Sequence, residues 1–141
     1  METERFIAYF NEHDACSNTL GIRLLHVGHG AAEAEMPVTS QNSNFMGALH
    51  GGALATLTDI TAGCCTYYRK KLCVTLDTSV QYLKGIRSGK ATARAKEIHA
   101  GGHISVSRVD VYDDENNLCC AATVTMYLTD KPLTGPIAEF Q

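Results

Sequence analysis

The chain has 141 residues, of which 45% are hydrophobic and 19% are charged. This length and composition predict one globular domain over residues 1–141 and exclude an intrinsically disordered chain. The formal net charge of −3 argues against a strongly basic nucleic-acid binder. The sequence contains no apolar run long enough for a membrane span and no signal-peptide pattern, so we expect a cytoplasmic protein.

Six cysteines are present, and four of them form two adjacent pairs: Cys16, Cys64, Cys65, Cys73, Cys119 and Cys120. Adjacent pairs suit neither a CxxC zinc site nor a typical disulfide framework. We therefore expect small buried thiols in a reducing compartment. The histidines at positions 13, 26, 29, 99 and 103 form no metal-ligand pattern either, so no metal site is predicted.

The first half of the chain predicts a short helix, two strands and a long helix. Apolar residues at helical spacing follow Thr3, a candidate N-cap, and predict a helix over 3–14. Alternating patterns over 22–26 and 32–38 predict two strands. Residues 39–48 are polar and aperiodic, and a second helix is predicted over 50–69.

The second half predicts four strands, in the segments 74–82, 91–96, 104–111 and 118–128. The alternation in the third of these slips at Ser107–Arg108, which predicts a β-bulge there. Turn signals at 85–90 and 100–102 predict hairpins between consecutive strands. A loose tail is expected over 129–141.

The helix predicted over 50–69 is apolar or small on nearly every side, which is typical of a helix at the centre of a core. Strands joined by short turns make a mostly antiparallel sheet. The fold class that satisfies both is α+β, with one curved antiparallel sheet wrapped around the long central helix.

Asp59 is the one charged residue within the apolar part of this helix, between Leu57 and Ile60. An ionised carboxylate is costly to bury without a partner. One interpretation is that Asp59 faces a groove or caps a neighbouring backbone group. The other is a carboxylate in a partly desolvated pocket, acting as a general base or nucleophile.

The start of the same helix is the second candidate feature. Gly51 and Gly52 place backbone N–H groups with no intrahelical partner at a helix N-terminus, where they can form an oxyanion hole. Alternatively, the glycines only permit close packing. His50 can either orient the site or transfer a proton. Asn44 can orient water or substrate, or serve only its loop.

Spacing limits how these two features can cooperate. Gly51 and Asp59 are eight residues apart, which is about 12 Å along a helix axis. A base and an oxyanion donor must both lie within about 3 Å of the reacting atoms. If both residues act, we expect a composite site that combines Gly51 of one subunit with Asp59 of another, in a homo-oligomer.

The segment NFMGALHGG at 44–52, followed by Asp59, resembles the hot-dog-fold acyl-CoA thioesterases. It is most similar to the phenylacetate-degradation branch, whose pattern is N-x-x-G-x-x-H-G-G with an acidic residue farther along the same helix. The order of elements over residues 18–128 fits as well. Residues 74–77, VTLD, and the following Tyr82-Leu83 resemble the third strand of that family.

The resemblance implies roles for individual residues. Asp59 corresponds to the catalytic carboxylate, which activates water or attacks directly. Gly51 supplies the N–H that polarises the thioester carbonyl, and Asn44 positions the water or the thioester. Thr75 stands where some relatives have a serine that assists the water. The family also implies a homodimer or homotetramer with sites across the dimer interface.

The implied substrate is an acyl-CoA, and no resident cofactor is expected because coenzyme A arrives as part of that substrate. Lys84, Arg87 and Lys90 lie in one turn and are candidates for contacting its phosphates, although a simply solvated basic turn is an equal alternative. Small residues of the central helix, Ala55, Thr58 and Ala62, are candidates for shaping the acyl tunnel.

Two rival functions remain open from the sequence. One is a hot-dog dehydratase or hydratase acting on hydroxyacyl thioesters, in which a histidine is the working base. The other is a non-catalytic acyl-CoA binding module, for which a carboxylate in the core has no use. A shared interaction scaffold without a ligand is a weaker alternative.

Overall fold

The computed structural model describes residues 2–134 and residue 137. Two N-terminal helices are followed by two strands, the central helix and four more strands. The helices are α1 (Glu2–His13), α2 (Ala15–Leu20) and α3 (Gly51–Cys65). The strands are β1 (Arg23–Gly28), β2 (Ala31–Pro37), β3 (Lys71–Tyr82), β4 (Lys90–Ala100), β5 (Ile104–Tyr112) and β6 (Leu118–Pro132).

Within the described residues the strands form one antiparallel sheet in the order β1-β2-β4-β5-β6-β3. Helix α3 contacts all six strands, so the sheet curves around it. Leu57 and Ala62 of this helix are fully buried. These observations confirm the predicted α+β hot-dog architecture, with an apolar helix at the centre. Most of the helix packs on the sheet, and a stripe that includes Thr56, Asp59 and Ile60 is only half-buried.

Helix α3 ends at Cys65, four residues before the predicted end at 69. The hydroxyl of Thr66 donates to the carbonyl oxygen of Gly63 at 2.8 Å, which takes an acceptor that a further turn would use. A 3₁₀ turn, Tyr67–Arg69, follows, and Lys70 closes it with a φ of 54°. The chain then enters β3.

The bulge predicted at Ser107–Arg108 was wrong. Strand β5 is regular there, since Ser107 pairs with Glu97 and Arg108 with Lys96. Ser105 and Ser107 occupy inward positions of β5, at 0% and 1% exposure. The alternation of buried and exposed residues is therefore regular, but two of the buried residues are serines rather than apolar residues. The irregularity in this pair lies on β4 instead, between Glu97 and His99.

The segment 85–90 does not close a hairpin, contrary to the sequence prediction. Strand β3 pairs with β6 at the edge of the sheet, whereas β4 lies between β2 and β5. The connecting segment is held against the loop before α3, because Leu49 donates its N–H to Ile86 at 2.8 Å and Ile86 is buried. The turn-forming residues at 85–90 therefore connect β3 to β4, two strands that are not neighbours in the sheet, instead of closing a hairpin.

The N-terminal helix α1 matches the predicted range of 3–14 closely, and α2 was not predicted. Asp14 caps α2 by accepting from the N–H of Ser17, and Gly21 ends it with a φ of 79°. Residues 129–132 were expected to begin a loose tail, but they continue β6. Most of the remaining predicted tail lies outside the described residues.

The six cysteines are free, and four of them are buried. Cys73 is half-buried and Cys16 is exposed, so the prediction of six buried packing residues was wrong for Cys16. Among the described residues, no helix is long and apolar enough to cross a membrane.

Candidate active site

Asp59 lies on the face of α3 that points towards β3. Its Oδ1 accepts a hydrogen bond of 2.6 Å from the hydroxyl of Thr75, in the middle of β3. Asp59 is half-buried, so the carboxylate is neither sealed in the core nor fully solvated. The structure therefore brings together two of the predicted site residues, Asp59 and Thr75.

A cavity of about 390 Å³ adjoins this pair. Helix α3 lines it with Asp59, Ile60, Gly63 and Cys64, and α1 contributes Phe6 and Phe10. Burial raises the pKa of the Cys64 thiol well above its usual range, so this side chain is a neutral, apolar part of the wall. A carboxylate thus stands at the side of a largely apolar space.

The predicted tunnel residues lie elsewhere. Thr58 and Ala62 are fully buried, and the Thr58 hydroxyl donates to the Ala55 carbonyl at 2.7 Å. Within this subunit these residues do not line the cavity beside Asp59. The residues of α3 that line the cavity include Asp59 and Gly63, each one position after a predicted tunnel residue. Because α3 is apolar on nearly every side, its sequence pattern does not indicate which positions face the cavity.

His50 caps the start of α3. Its Nδ1 accepts a hydrogen bond of 3.0 Å from the N–H of Gly52, and its backbone is extended, as at an N-cap. In this tautomer the imidazole holds the helix end, which agrees with the orienting role considered for it. Gly51 is then the first helical residue, and its N–H has no acceptor within the helix.

Tyr82 fixes Gly51 from the other side. Its hydroxyl donates to the Gly51 carbonyl oxygen at 2.8 Å, and burial raises the pKa of Tyr82, which keeps the donor protonated. A Cβ on Gly51 would lie 3.6 Å from the Tyr82 ring, an ordinary contact distance. Sequence reasoning missed this role, because a tyrosine at the end of an alternating strand is usually a packing residue.

Asn44 organises the loop before α3. Its Oδ1 accepts from the N–H groups of Met46, at 2.9 Å, and Ala48, at 3.1 Å. The loop is anchored further by the buried Asn42, whose Nδ2 donates to the carbonyl oxygens of Leu20 and Pro37. The Asn44 amide oxygen is thus committed to the loop, and its NH₂ is the part suited to a ligand. Asn42 carried no sequence signal beyond loop composition.

The two groups of residues do not meet within one subunit. Asn44, His50 and Gly51 lie at the start of α3, whereas Asp59 and Thr75 lie two turns further along it. At a rise of about 1.5 Å per residue, the gap between Gly51 and Asp59 stays near the expected distance. The helix is continuous between them, so nothing folds the two groups together.

Of the three predicted phosphate-binding residues, Lys84 and Arg87 line one cavity together with Asp113, and Lys90 does not line it. Lys84 pairs with Asp113 at 3.3 Å, Arg87 donates to the Met46 carbonyl oxygen at 2.7 Å, and Lys90 lies 3.9 Å from Glu35. Hydrogen bonds from Asn117 hold the pKa of Asp113 well below its usual range, so this carboxylate stays charged beside Lys84. The positive charge of Lys84 and Lys90 in this turn is thus compensated by nearby carboxylates.

No cluster of metal-ligating side chains occurs among the described residues.

Residues 46–120 match the model of the thioesterase superfamily, which is more than half of the chain. The chain belongs to the thioesterase superfamily. It is 31% identical over 110 residues to the 1,4-dihydroxy-2-naphthoyl-CoA hydrolase of Escherichia coli, covering 75% of this chain and 80% of the relative.

Two solved structures extend the comparison. The PaaI protein from the phenylacetic acid degradation operon of E. coli matches with a TM-score of 0.86 at 22% identity, covering 94% of this chain and 97% of that one. A hypothetical thioesterase of Streptococcus pneumoniae, determined with coenzyme A, matches with a TM-score of 0.80 at 28% identity, covering 89% and 98%. The predicted resemblance to hot-dog thioesterases is therefore confirmed.

Proposed function

We propose that this thioesterase-superfamily chain hydrolyses acyl-CoA thioesters to a free acid and coenzyme A. The observation that carries the proposal is the Asp59 carboxylate, held by the Thr75 hydroxyl at 2.6 Å beside a largely apolar cavity. The hydrolase activity named for the E. coli relative and the coenzyme A present with the S. pneumoniae structure support the same substrate class.

In the proposed reaction Asp59 acts as a general base on water. The water attacks the thioester carbonyl carbon as its proton passes to Asp59, and the carbonyl oxygen becomes an oxyanion. The Gly51 N–H donates to that oxyanion, where a fixed helix-terminal donor stabilises developing negative charge. Collapse breaks the C–S bond, and the departing thiolate takes up the proton. Thr75 positions the Asp59 carboxylate, and Asn44 orients the thioester through its NH₂ group.

The site requires a second copy of the chain. Strand β3 lies at the edge of the sheet, and it exposes Val74 and Leu76 at 53% and 57%. A 12-residue edge strand with apolar side chains is a template for pairing with another strand. A twofold pair formed there would bring Thr75, near the middle of β3, close to the interface, and would make two equivalent composite sites.

Three basic residues are candidates for binding the phosphates of coenzyme A. Lys84, Arg87 and Lys90 are engaged by carboxylates or by a backbone carbonyl. Of the three, Arg87 is the residue that hydrogen-bonds the loop of Asn44, which leads into the start of α3. We therefore assign the phosphate contact to Arg87 first. The proposed chemistry needs no metal ion and no resident cofactor.

The test is a panel of acyl-CoA substrates assayed with a thiol-detecting reagent. Wild type should release coenzyme A, and Asp59→Asn should lose about 10³-fold in kcat, within the range of general-base catalysis. Asn keeps the acceptor for Thr75 but cannot take a proton. Asp130→Asn is the matched control. Asp130 lies near the C-terminal end of β6, and its carboxylate side chain is 87% accessible to solvent.

The rival functions predict different results. A binding module would bind acyl-CoA and release no thiol, and a dehydratase would convert a hydroxyacyl-CoA without releasing coenzyme A. Full activity of Asp59→Asn would leave hydrolysis standing but overturn the proposed mechanism.

A further inference from the structure

We infer that the cavity beside Asp59 holds the acyl group, and that helix α1 closes its far end and limits the substrate to a compact apolar acyl group. This rests on the proposed function, because it takes Asp59 and Thr75 as the place of the thioester carbonyl. No functional role is predicted for α1 from its sequence pattern.

The near wall is one face of α3. Asp59 and Gly63 are four residues apart, as are Ile60 and Cys64, so the two pairs share one side of the helix. Gly63 leaves space here, since a Cβ added to it would meet only the methyl of Met126, at 3.6 Å. The polar group on this face is the Asp59 carboxylate; Cys64 is a neutral thiol.

The far wall is aromatic and fixed. Phe6 stacks on Tyr67, with ring centroids 3.9 Å apart and ring planes at 11°, and Phe10 lies 6.0 Å from Phe6. Leu133 and Ile137, which follow β6, complete this side of the cavity. Because Tyr67 follows the end of α3, the stacked rings attach α1 to the helix that carries Asp59.

Two charged residues also reach the lining, Asp14 and Lys71. The Asp14 carboxylate is occupied, since Oδ2 accepts from the Ser17 hydroxyl at 2.6 Å and from the Ser17 N–H at 3.2 Å. Lys71 begins β3, where it pairs with Pro132. Most of the other lining residues are apolar or aromatic, among them Phe6, Phe10 and Ile60, so the site favours a largely apolar acyl group.

The size of the cavity sets the limit. The cavity has a volume of about 390 Å³. One heavy atom with its hydrogens occupies roughly 30 Å³, close to the volume of one water molecule in the liquid, so the cavity holds about a dozen such groups. A medium straight chain or a single aromatic ring with a short linker fits within this number. A sixteen-carbon chain exceeds it.

The experiment compares kcat/KM for acetyl-, octanoyl- and palmitoyl-CoA. Wild type should prefer octanoyl-CoA over palmitoyl-CoA. Phe10→Ala removes part of the closed end and should raise the palmitoyl-to-octanoyl ratio at least about tenfold, a typical effect of reshaping a hydrophobic pocket. Gly63→Val fills the cavity beside Asp59 and should lower octanoyl-CoA turnover about tenfold, with acetyl-CoA changed less than about threefold.

Ile7→Ala is the matched control. Ile7 is a half-buried residue of α1 that packs against the core and does not line the cavity. Its ratios for the three substrates should equal those of wild type. If no acyl-CoA is hydrolysed, the proposed function fails. If acyl-CoAs are hydrolysed but palmitoyl-CoA equals octanoyl-CoA, or Gly63→Val leaves the ratios unchanged, this inference fails while the function stands.

Discussion

The two ends of the functional face of α3 are built in opposite ways. At its start, the groups presented to a ligand belong to the backbone, and the side chains of His50, Tyr82 and Asn44 serve to hold that backbone in place. Two turns later the functional group is a side chain, Asp59, and the backbone is ordinary helix. In the proposed mechanism, the start of α3 supplies a donor for negative charge, and Asp59 supplies a base.

This difference is the reason why we propose a site shared between two copies of the chain. A helix presents unpaired N–H groups only in its first turn, whereas a carboxylate can stand beside an apolar cavity only where the helix is covered. The two requirements cannot be met at the same point of one helix. In the proposed composite site, two antiparallel copies of the helix place the start of one beside the middle of the other.

The largest effect should come from separating the two ends. Val74→Glu combined with Leu76→Glu places charge on the exposed edge of β3 and should convert the oligomer to monomers. Activity should fall at least about a hundredfold, the cost of losing one oxyanion donor. Light scattering measures the mass, and the thiol assay measures the activity. Ile98→Glu is the control, because Ile98 is 62% exposed but lies on β4, inside the sheet. A fully active monomer would refute the composite site.

Removing the donor from the first end should cost about 10²-fold in kcat. Gly51→Pro deletes the N–H, and proline is favoured at the first position of a helix, after a residue with extended backbone such as His50. Gly51→Ala keeps the N–H, and its Cβ fits at 3.6 Å from Tyr82. Equal activities of the two variants would show that the Gly51 N–H does not bind the oxyanion.

Loosening the second end should have a smaller effect. Thr75→Val removes the hydroxyl that holds Asp59 and should lower kcat about tenfold, comparable to one hydrogen bond to a charged group. Thr75→Ser keeps the hydroxyl and should restore most of the activity. If the serine variant is as slow as the valine variant, Thr75 acts through packing rather than through its hydrogen bond to Asp59.

The smallest effect tests whether His50 is a cap or a proton donor. His50→Ala should lower the free energy of unfolding by about 1 kcal/mol, the usual cost of losing an N-cap. His50→Asn restores a capping side chain and should keep stability, with activity within about threefold of wild type. Chemical denaturation and the thiol assay measure the two quantities. An Asn variant that is stable but inactive would show that His50 takes part in proton transfer.

The sequence was most informative where the signal is local. The apolar character of α3 predicts its central place, and the spacing of Gly51 and Asp59 within one helix predicts that they cannot meet. The position of β3 at the sheet edge depends on pairing with β6, whose paired residues lie 38 to 61 positions further along the chain, and no local pattern contains this information. The same holds for the basic turn, where Lys84 is compensated by Asp113 from the turn between β5 and β6.

Buried polar residues account for the wrong prediction of a bulge in β5. Ser105 and Ser107 occupy core-facing positions of β5, where an alternation of apolar residues is the only available signal, so the pattern predicted a false bulge. Ser105 is accommodated because its hydroxyl donates to Glu97 on the neighbouring strand. That partner becomes visible only when the strands are paired.

Subunit complementation tests the central claim most directly. Asp59→Ala and Gly51→Pro chains, each nearly inactive alone, are mixed and allowed to exchange subunits. In a composite arrangement each mixed dimer has one site with both defects and one intact site, so activity should recover to about a quarter of wild type. No recovery after exchange has been confirmed by mass would contradict the account, because it would place both residues in the site of a single subunit.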